Sequence, residues 1–445
     1  MPPNYLDTIY ALSSGAPPAG VAIIRLSGPG VRFAFKTLAG SVPQPRRAAL
    51  RELRDPQSAA PIDRGLVLYF PAPASFTGED CGELHLHGGR AVIEAVLAAL
   101  GRLEGFRLAE PGEFSRRAFE AGKMDLTALE GLADLIAAET EAQRRQALRQ
   151  QSGALAALYD GWRADLIAAR ARIEAMLDFS DEDDVPTDLA PAVWRRVGEL
   201  VEAITAHLND ARRGERLRAG LTVALAGPPN SGKSSLLNLL SRREVAIVTD
   251  RAGTTRDLLD VALDLDGYPV TLTDMAGLRE TADIVEAEGI RRARARIEDA
   301  DLALWITDAT APERPRDWPD AAAPILVLNK IDLLDAPPAL SWGEGALAIS
   351  AKTGAGIDGL LAVISARAEA LAGLGEEPVL TRARHRQALE RSLEHLSEAV
   401  AAKDQSIELR AEALRLASFE LGRITGRVDV EDILDQVFST FCIGK

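Results

Sequence analysis

The sequence predicts a multidomain chain of three fold types: a mixed α+β N-terminal domain, a helical domain, and an α/β domain inserted into the helical one. Three observations predict it. Short β-like runs set between Gly and Pro breakers mark the first part, among them Val21-Ala-Ile-Ile-Arg-Leu26 and Gly65-Leu-Val-Leu-Tyr-Phe70. From about Leu126 the texture turns to Ala, Leu, Glu, Gln and Arg, and Val193, Val197, Leu200, Val201, Ile204 and Leu208 keep one face of a 3.6-residue period apolar. After Gly220, buried-strand runs alternate with helical segments: Leu221-Thr-Val-Ala-Leu-Ala226, Val270-Thr-Leu-Thr273, Leu302-Ala-Leu-Trp-Ile306 and Ile325-Leu-Val-Leu328. Such alternation requires a parallel sheet wrapped by helices.

From about Arg382 the helices return, with Leu414, Ala417, Leu421 and Ile424 on one stripe. Helix, then α/β, then helix again predicts that the two helical stretches pack on each other. The expected divisions are 1–120, 121–215, 216–375 and 376–445.

Composition narrows the class. The 445 residues are 47% hydrophobic, with a mean hydropathy of −0.02, as in ordinary globular proteins. No apolar run reaches the roughly eighteen residues of a membrane span, and the N-terminus lacks a basic-then-apolar signal. Two cysteines, Cys81 and Cys442, make no disulfide framework, so a cytoplasmic location without membrane association is expected. The net charge of −15 argues against indiscriminate nucleic-acid binding but leaves room for a structured RNA on a local basic patch. The acidic Asp181-Glu-Asp-Asp184, inside the breaker-rich stretch 178–191, reads as a solvated loop rather than a metal site.

The chemistry is concentrated in the α/β segment. Gly227-Pro-Pro-Asn-Ser-Gly-Lys-Ser234 fits G-x-x-x-x-G-K-[ST], with a strand before it and a helix after it. Its glycines turn backbone N–H groups onto phosphates, and the helix N-terminus adds its dipole. Asn230, Ser231, Gly232, Lys233, Ser234 and Ser235 would form the cradle, Lys233 reaching the β/γ-phosphates and Ser234 holding Mg²⁺. Asp274-Met275-Ala276-Gly277 follows a strand as a D-x-x-G element does, its aspartate acting on Mg²⁺ through water and its glycine N–H on the γ-phosphate. In Asn329-Lys330-Ile-Asp332 the Asp332 carboxylate can accept both guanine N1–H and N2–H₂. Adenine offers neither, so the pocket selects GTP over ATP. Ser350-Ala351-Lys352 completes the set as the loop at guanine O6. Four ordered motifs at strand ends predict a P-loop, Ras-like G domain that hydrolyses GTP. The glutamine that often follows D-x-x-G is replaced by Leu278, which cannot orient water, so another group must do so.

These residues resemble the MnmE (TrmE) family of tRNA uridine-modification GTPases over essentially the whole chain. The resemblance is carried by Pro-Asn-Ser-Gly-Lys-Ser-Ser, Ile247-Val-Thr-Asp-Arg-Ala-Gly-Thr-Thr-Arg-Asp257 and Asp274-Met-Ala-Gly-Leu-Arg-Glu280. Toward the N-terminus it rests on Ser75-Phe-Thr-Gly-Glu-Asp80, Glu83, His87-Gly-Gly89, Pro111-Gly-Glu-Phe114 and Arg117-Ala-Phe119. Phe441-Cys-Ile-Gly-Lys445 carries it at the other end. Met275 departs from the family's usual Thr, at a position whose side chain is not a required ligand.

The resemblance implies a K⁺ ion in place of an arginine finger, held by the Asn230 side chain and by oxygens of Thr249, Arg251 and Thr254. The rest of that loop, Asp250, Ala252 and Gly253, would line the nucleotide site, and Thr255 would join Ser234 on Mg²⁺. The family's water-orienting glutamate falls on Glu286; a bare reading of that residue is a surface helix position. The N-terminal domain is implied to be folate-binding-like and to dimerise, with 5-formyl-tetrahydrofolate contacts on Arg25, Glu83, Lys123 and Lys445. Cys442 reads either as a reactive thiol or as a small packed residue. A homodimer is implied to form a heterotetramer with the flavoprotein MnmG and to modify C5 of the tRNA wobble uridine. The alternative is a ribosome-assembly GTPase with a similar G domain, which would call for a basic RNA-binding module.

Overall fold

The computed structural model describes residues 5–178, 189–210, 212–247, 260–274, 297–315, 324–336, 345–373, 375, 377–402, 406–428, 434, 437–438, 441 and 444. The chain divides into two compact units. One comprises Met1–Ala133, Gln151–Arg163 and Phe419–Lys445; the other comprises Asp134–Gln150 and Ala164–Ser418.

The first unit is built on β1 (Thr8–Leu12), β2 (Ala19–Ser27), β3 (Ala49–Arg54), β4 (Pro61–Phe70), β5 (Cys81–Gly88) and β6 (Phe106–Leu108). Their order is β3-β4-β5-β2-β1-β6, antiparallel throughout except for β6 beside β1. Helices α1 (Val31–Ala39) and α2 (Arg90–Gly101) cover one face. Val31, Phe35 and Leu38 of α1 recur at helical spacing, while Ile24, Leu26, Leu84 and Leu86 alternate along β2 and β5, and these residues share one buried cluster. On the other face Ile9 and Ala11 of β1 pack with Phe114 of α3 (Glu113–Glu120). Leu126 and Leu129 of α4 (Leu126–Ala137) pack with Leu434, Val437, Phe438 and Phe441.

The chain's last described residue also lies on this sheet. Ser13 Oγ donates to the Gly444 carbonyl at 2.7 Å. Gly444 has φ +93°, and a Cβ there would stand 2.2 Å from the Leu12 carbonyl, so only glycine fits.

The second unit holds α5 (Glu141–Gln151), most of α6 (Ala154–Asp178), α7 (Leu189–Leu208) and α8 (Arg213–Ala219) before its sheet. Then come β7 (Leu221–Ala226), α9 (Lys233–Leu240), β8 (Asp260–Leu265), β9 (Tyr268–Asp274), β10 (Leu302–Asp308), β11 (Ile325–Asn329), β12 (Leu347–Ala348) and α10 (Ile357–Ala372). Helix α11 (Ala383–Ala401) and, as far as Ser418, α12 (Ile407–Thr425) follow. The sheet order is β12-β11-β10-β7-β9-β8. One expectation is corrected: the sheet is not wholly parallel, because edge strand β8 runs antiparallel to β9. Asp266 and Gly267, both left-handed at φ 53° and 90°, close a two-residue hairpin between them. Two consecutive positive φ angles match the right-handed twist of paired strands, and they turn the chain straight back.

The helical stretches on either side of the sheet pack together. Val193, Val197, Leu200 and Ile204 of α7 are buried, and Arg386 of α11 donates to the Leu208 carbonyl and pairs with Asp210, both at 2.8 Å. Ser392 of α11 donates to the Ala417 carbonyl of α12, and Leu414, Ala417, Leu421 and Ile424 are all fully buried. Among the described residues no helix is long and apolar enough to cross a membrane, and no cluster of three or more His, Cys, Asp or Glu is placed to hold a metal ion. The acidic stretch 181–184 lies outside the described residues.

Candidate functional sites

The loop 227–232 joins β7 to α9, and two of its glycines are sterically required. A Cβ on Gly227 (φ +143°) would stand 2.0 Å from the Ile306 carbonyl, and one on Gly232 (φ +98°) 2.1 Å from Asn329 Nδ2. Asn230 is also left-handed, at φ 61°, and exposed. The buried Lys233 ammonium lies inside the loop, donating to the Gly227 and Pro228 carbonyls at 2.8 Å each. Ser234 Oγ donates to Asp274 Oδ2 at 3.1 Å. That contact is dictated by the sheet: β7 and β9 are parallel neighbours, with Leu225 opposite Asp274, so the start of α9 and the end of β9 meet.

The other end of the site is organised by Asn329, which is 1% exposed. Its Nδ2 donates to the Ser231 carbonyl, and its Oδ1 accepts from the N–H groups of Lys330 and Ala351 at 2.8 and 2.9 Å. Three of the four motifs thus meet on one side chain. Ser350 Oγ donates to Asp332 Oδ1 at 2.6 Å and accepts from Thr353 N–H, holding that carboxylate in place. A cavity of about 620 Å³ opens here, lined by Gly232, Ser235, Asn329, Lys330, Asp332, Ala351 and Lys352.

Sequence reasoning missed some of its wall. Asn238, Leu239, Arg242 and Leu333 line the same cavity. Ser235, Asn238 and Leu239 follow the i, i+3, i+4 spacing of one face of α9, and Arg242 continues it in the turn just past the helix, so the period carried the signal. Asp308, which pairs with Lys330 at 2.7 Å, was also missed. Of the expected residues, Thr249, Asp250, Arg251, Ala252, Gly253, Thr254, Thr255, Met275, Ala276, Gly277 and Glu286 lie outside the described residues.

In the first unit the structure brings two of the four expected folate residues together. Arg25 and Glu83 are register partners on β2 and β5, with Nη2 to Oε1 at 3.2 Å. Arg25 also lies over the rings of Phe76 and Phe114, 5.6 and 5.9 Å from their centroids, and Glu83 reaches His85 Nε2 at 3.1 Å. Lys123 instead donates to the Pro73 carbonyl at 2.6 Å, on the loop that carries Phe76. Lys445 and Cys442 lie outside the described residues, but Gly444 sits against Leu12, whose register partner on β2 is Ile24, next to Arg25.

Many of the N-terminal motif residues serve the interior. Arg117, with no exposed side-chain surface, pairs with Asp7, Glu79 and Glu113 and lies 4.0 Å from the Tyr5 ring centroid. Arg107 also pairs with Asp7 and Glu113, and Ser27 donates to Glu79. Burial works against ionisation of Glu113, but hydrogen bonds from Arg107, the Glu110 N–H and Arg117 outweigh it and hold its pKa below the ordinary carboxylate value. Asp7 is lowered in the same way, burial being outweighed by the bonds from Arg107 and Arg117. Phe114, the neighbour of Glu113 in α3, is fully buried and lies beneath Arg25.

Comparison with known proteins covers both units of the chain. A family model described as the MnmE helical domain matches residues 126–442, and one described as the GTP-binding protein TrmE N-terminus matches residues 8–123. A protein of Parvibaculum lavamentivorans named tRNA modification GTPase MnmE is 55% identical over 451 aligned residues, covering 99% of this chain and 100% of that protein. One of the same name from Brucella canis is 54% identical over 442 residues, covering 99% of each. Among solved structures, the FeoB G-domain from Methanococcus jannaschii is 29% identical over 34% of this chain and 98% of that chain, with a TM-score of 0.26. Matched along nearly its whole length, the chain belongs to the MnmE family of tRNA modification GTPases.

Proposed function

We propose that this protein is a cytoplasmic, potassium-stimulated GTPase that acts in modifying C5 of the tRNA wobble uridine, as a homodimer working with an MnmG-type flavoprotein. The observation that carries the GTPase reading is the joining of Ser231, Lys330 and Ala351 through Asn329, beside a cavity that also contains Asp332. Backbone N–H groups of 230–234 and the Lys233 ammonium would meet the phosphates, Lys233 exchanging its two carbonyl partners for phosphate oxygens. Asp332, oriented by Ser350, would accept from guanine N1–H and N2–H₂.

The Ser234 hydroxyl is a hard oxygen donor that fits Mg²⁺, and the Asp274 carboxylate, 3.1 Å from it, would act on the ion through water. Bound there, Mg²⁺ would supply positive charge against the β- and γ-phosphates. Thr255 is proposed as its further ligand. K⁺, supplied to the site through Asn230 with Thr249, Arg251 and Thr254, would offset transition-state charge. Glu286 would orient the attacking water through a second water. The water oxygen bonds to the γ-phosphorus as the bond to the bridging oxygen breaks, giving GDP and phosphate.

The Arg25–Glu83 pair, with Lys123 and Lys445, is proposed to take a 5-formyl-tetrahydrofolate-type donor of the one-carbon unit. Arg25 suits its carboxylates and Glu83 its pterin N–H edge. The test is phosphate release from GTP and from ATP in matched potassium and sodium buffers. Turnover of GTP alone, faster in potassium, is expected. Equal turnover of both nucleotides would overturn the guanine reading, and equal rates in both salts would remove the cation role of Asn230.

A further inference from the structure

Asp308 closes β10 directly opposite Asn329 of β11, and the Ala309 N–H donates to the Asn329 carbonyl at 2.7 Å. Its two carboxylate oxygens have separate tasks. Oδ1 accepts from the Thr310 N–H and hydroxyl at 2.9 and 2.7 Å, which fixes the rotation of the group. Oδ2 is thereby turned to the Lys330 ammonium at 2.7 Å. Burial tends to raise the Asp308 pKa, but the bonds from Lys330 and Thr310 prevail and hold it low, so the group is an anion at neutral pH.

Lys330 is a non-glycine residue in the left-handed region, at φ 68°, and it lines the same cavity as Asp332. With its ammonium drawn to Asp308, its methylene stem is the part left to form wall. A lysine already fixed in one rotamer loses less side-chain entropy when a ligand arrives.

We propose that Asp308 is a positioning residue of the guanine pocket: it holds the Lys330 stem where the flat face of the purine packs. This inference rests on the GTP reading above. Because the stem meets a ring face and not the exocyclic amine, Asp308 should serve guanine and hypoxanthine nucleotides alike, whereas Asp332 discriminates between them.

The test is titration of the full-length protein with fluorescent GDP and IDP, beside thermal melting. Asp308→Ala is expected to weaken both nucleotides by a similar factor, roughly 10-fold, as loss of preorganisation does. Asp308→Glu should recover part of it, and Asp308→Ala added to Lys330→Ala should cost nothing further. Unchanged affinity in Asp308→Ala, losses that multiply in the double variant, or a fall in melting temperature with affinity intact would each overturn the proposal. Wild-type protein that binds neither nucleotide would overturn the GTP reading itself, which separates the two failures.

Discussion

Asn329 Nδ2 donates to the Ser231 carbonyl at 2.8 Å, so the end of β11 and the phosphate loop form one hydrogen-bonded body. Replacing Asn329 by Ala leaves that carbonyl and the N–H groups of Lys330 and Ala351 without partners. Unpaired buried groups cost about 1–3 kcal/mol each. GDP affinity in Asn329→Ala should fall by roughly 10²-fold or more, read by fluorescence titration. Asn329→Asp, which keeps the acceptor and loses only the donor, should retain part of the affinity.

Exchanging the Asp332 carboxylate for an amide changes which base fits. Xanthine presents a C2 carbonyl where guanine has its amine, so Asp332→Asn should bind XTP better than GTP. GTP affinity should drop by roughly 10²-fold or more, because a site built to pair a group discriminates strongly when pairing fails. Competition between the two nucleotides measures this, and an unchanged preference for GTP would remove Asp332 from base recognition.

Glu286→Ala should leave nucleotide binding largely intact while lowering hydrolysis by roughly 10²-fold or more, a typical loss for a positioned catalytic group. Single-turnover phosphate release separates the two quantities. Asn230→Ala should lose the potassium response specifically, leaving the slower sodium rate unchanged.

The ion cluster around Arg117 makes the first unit sensitive to acid. Glu113 and Asp7 both have folded pKa values below their ordinary 4.5 and 3.8, so the unfolded chain binds more protons as pH falls. Their stabilisation is complete above those values and is lost as pH falls through the lower folded ones. Thermal melts should therefore show a melting temperature that declines progressively below about pH 4.5. Glu113→Gln should begin less stable at pH 7 and show a shallower acid decline.

Legibility differed by kind of residue. The phosphate loop could be read because its glycines answer to local backbone sterics and its flanking runs are apolar; Gly227, Gly232 and Lys233 stand where their spacing put them. The antiparallel β8 did carry a local signal that sequence reasoning passed over, since Asp266-Gly267 between two apolar runs is a favoured pair for a two-residue hairpin. Glu79, Glu113 and Arg117 were legible only as family motif. Their pairing joins residues as far apart as Asp7 and Arg117, and no local period encodes a contact across 110 positions. Asp308 was unreadable for the same reason, since a strand-end aspartate acquires its role only when β11 sets Lys330 beside it.

The Ser13–Gly444 bond spans 431 positions. Synthesis at about 5–20 residues per second separates its two ends by roughly 20–90 s. During that time the ribosome has delivered the N-terminal sheet but not the segment around Leu434, Phe438 and Phe441 that covers Leu126 and Leu129. The first unit thus waits, with apolar surface uncovered, until all of the second has been made. A cell producing this protein must shield that nascent surface from aggregation, and a stalled or truncated message yields a chain whose first-made part is never finished.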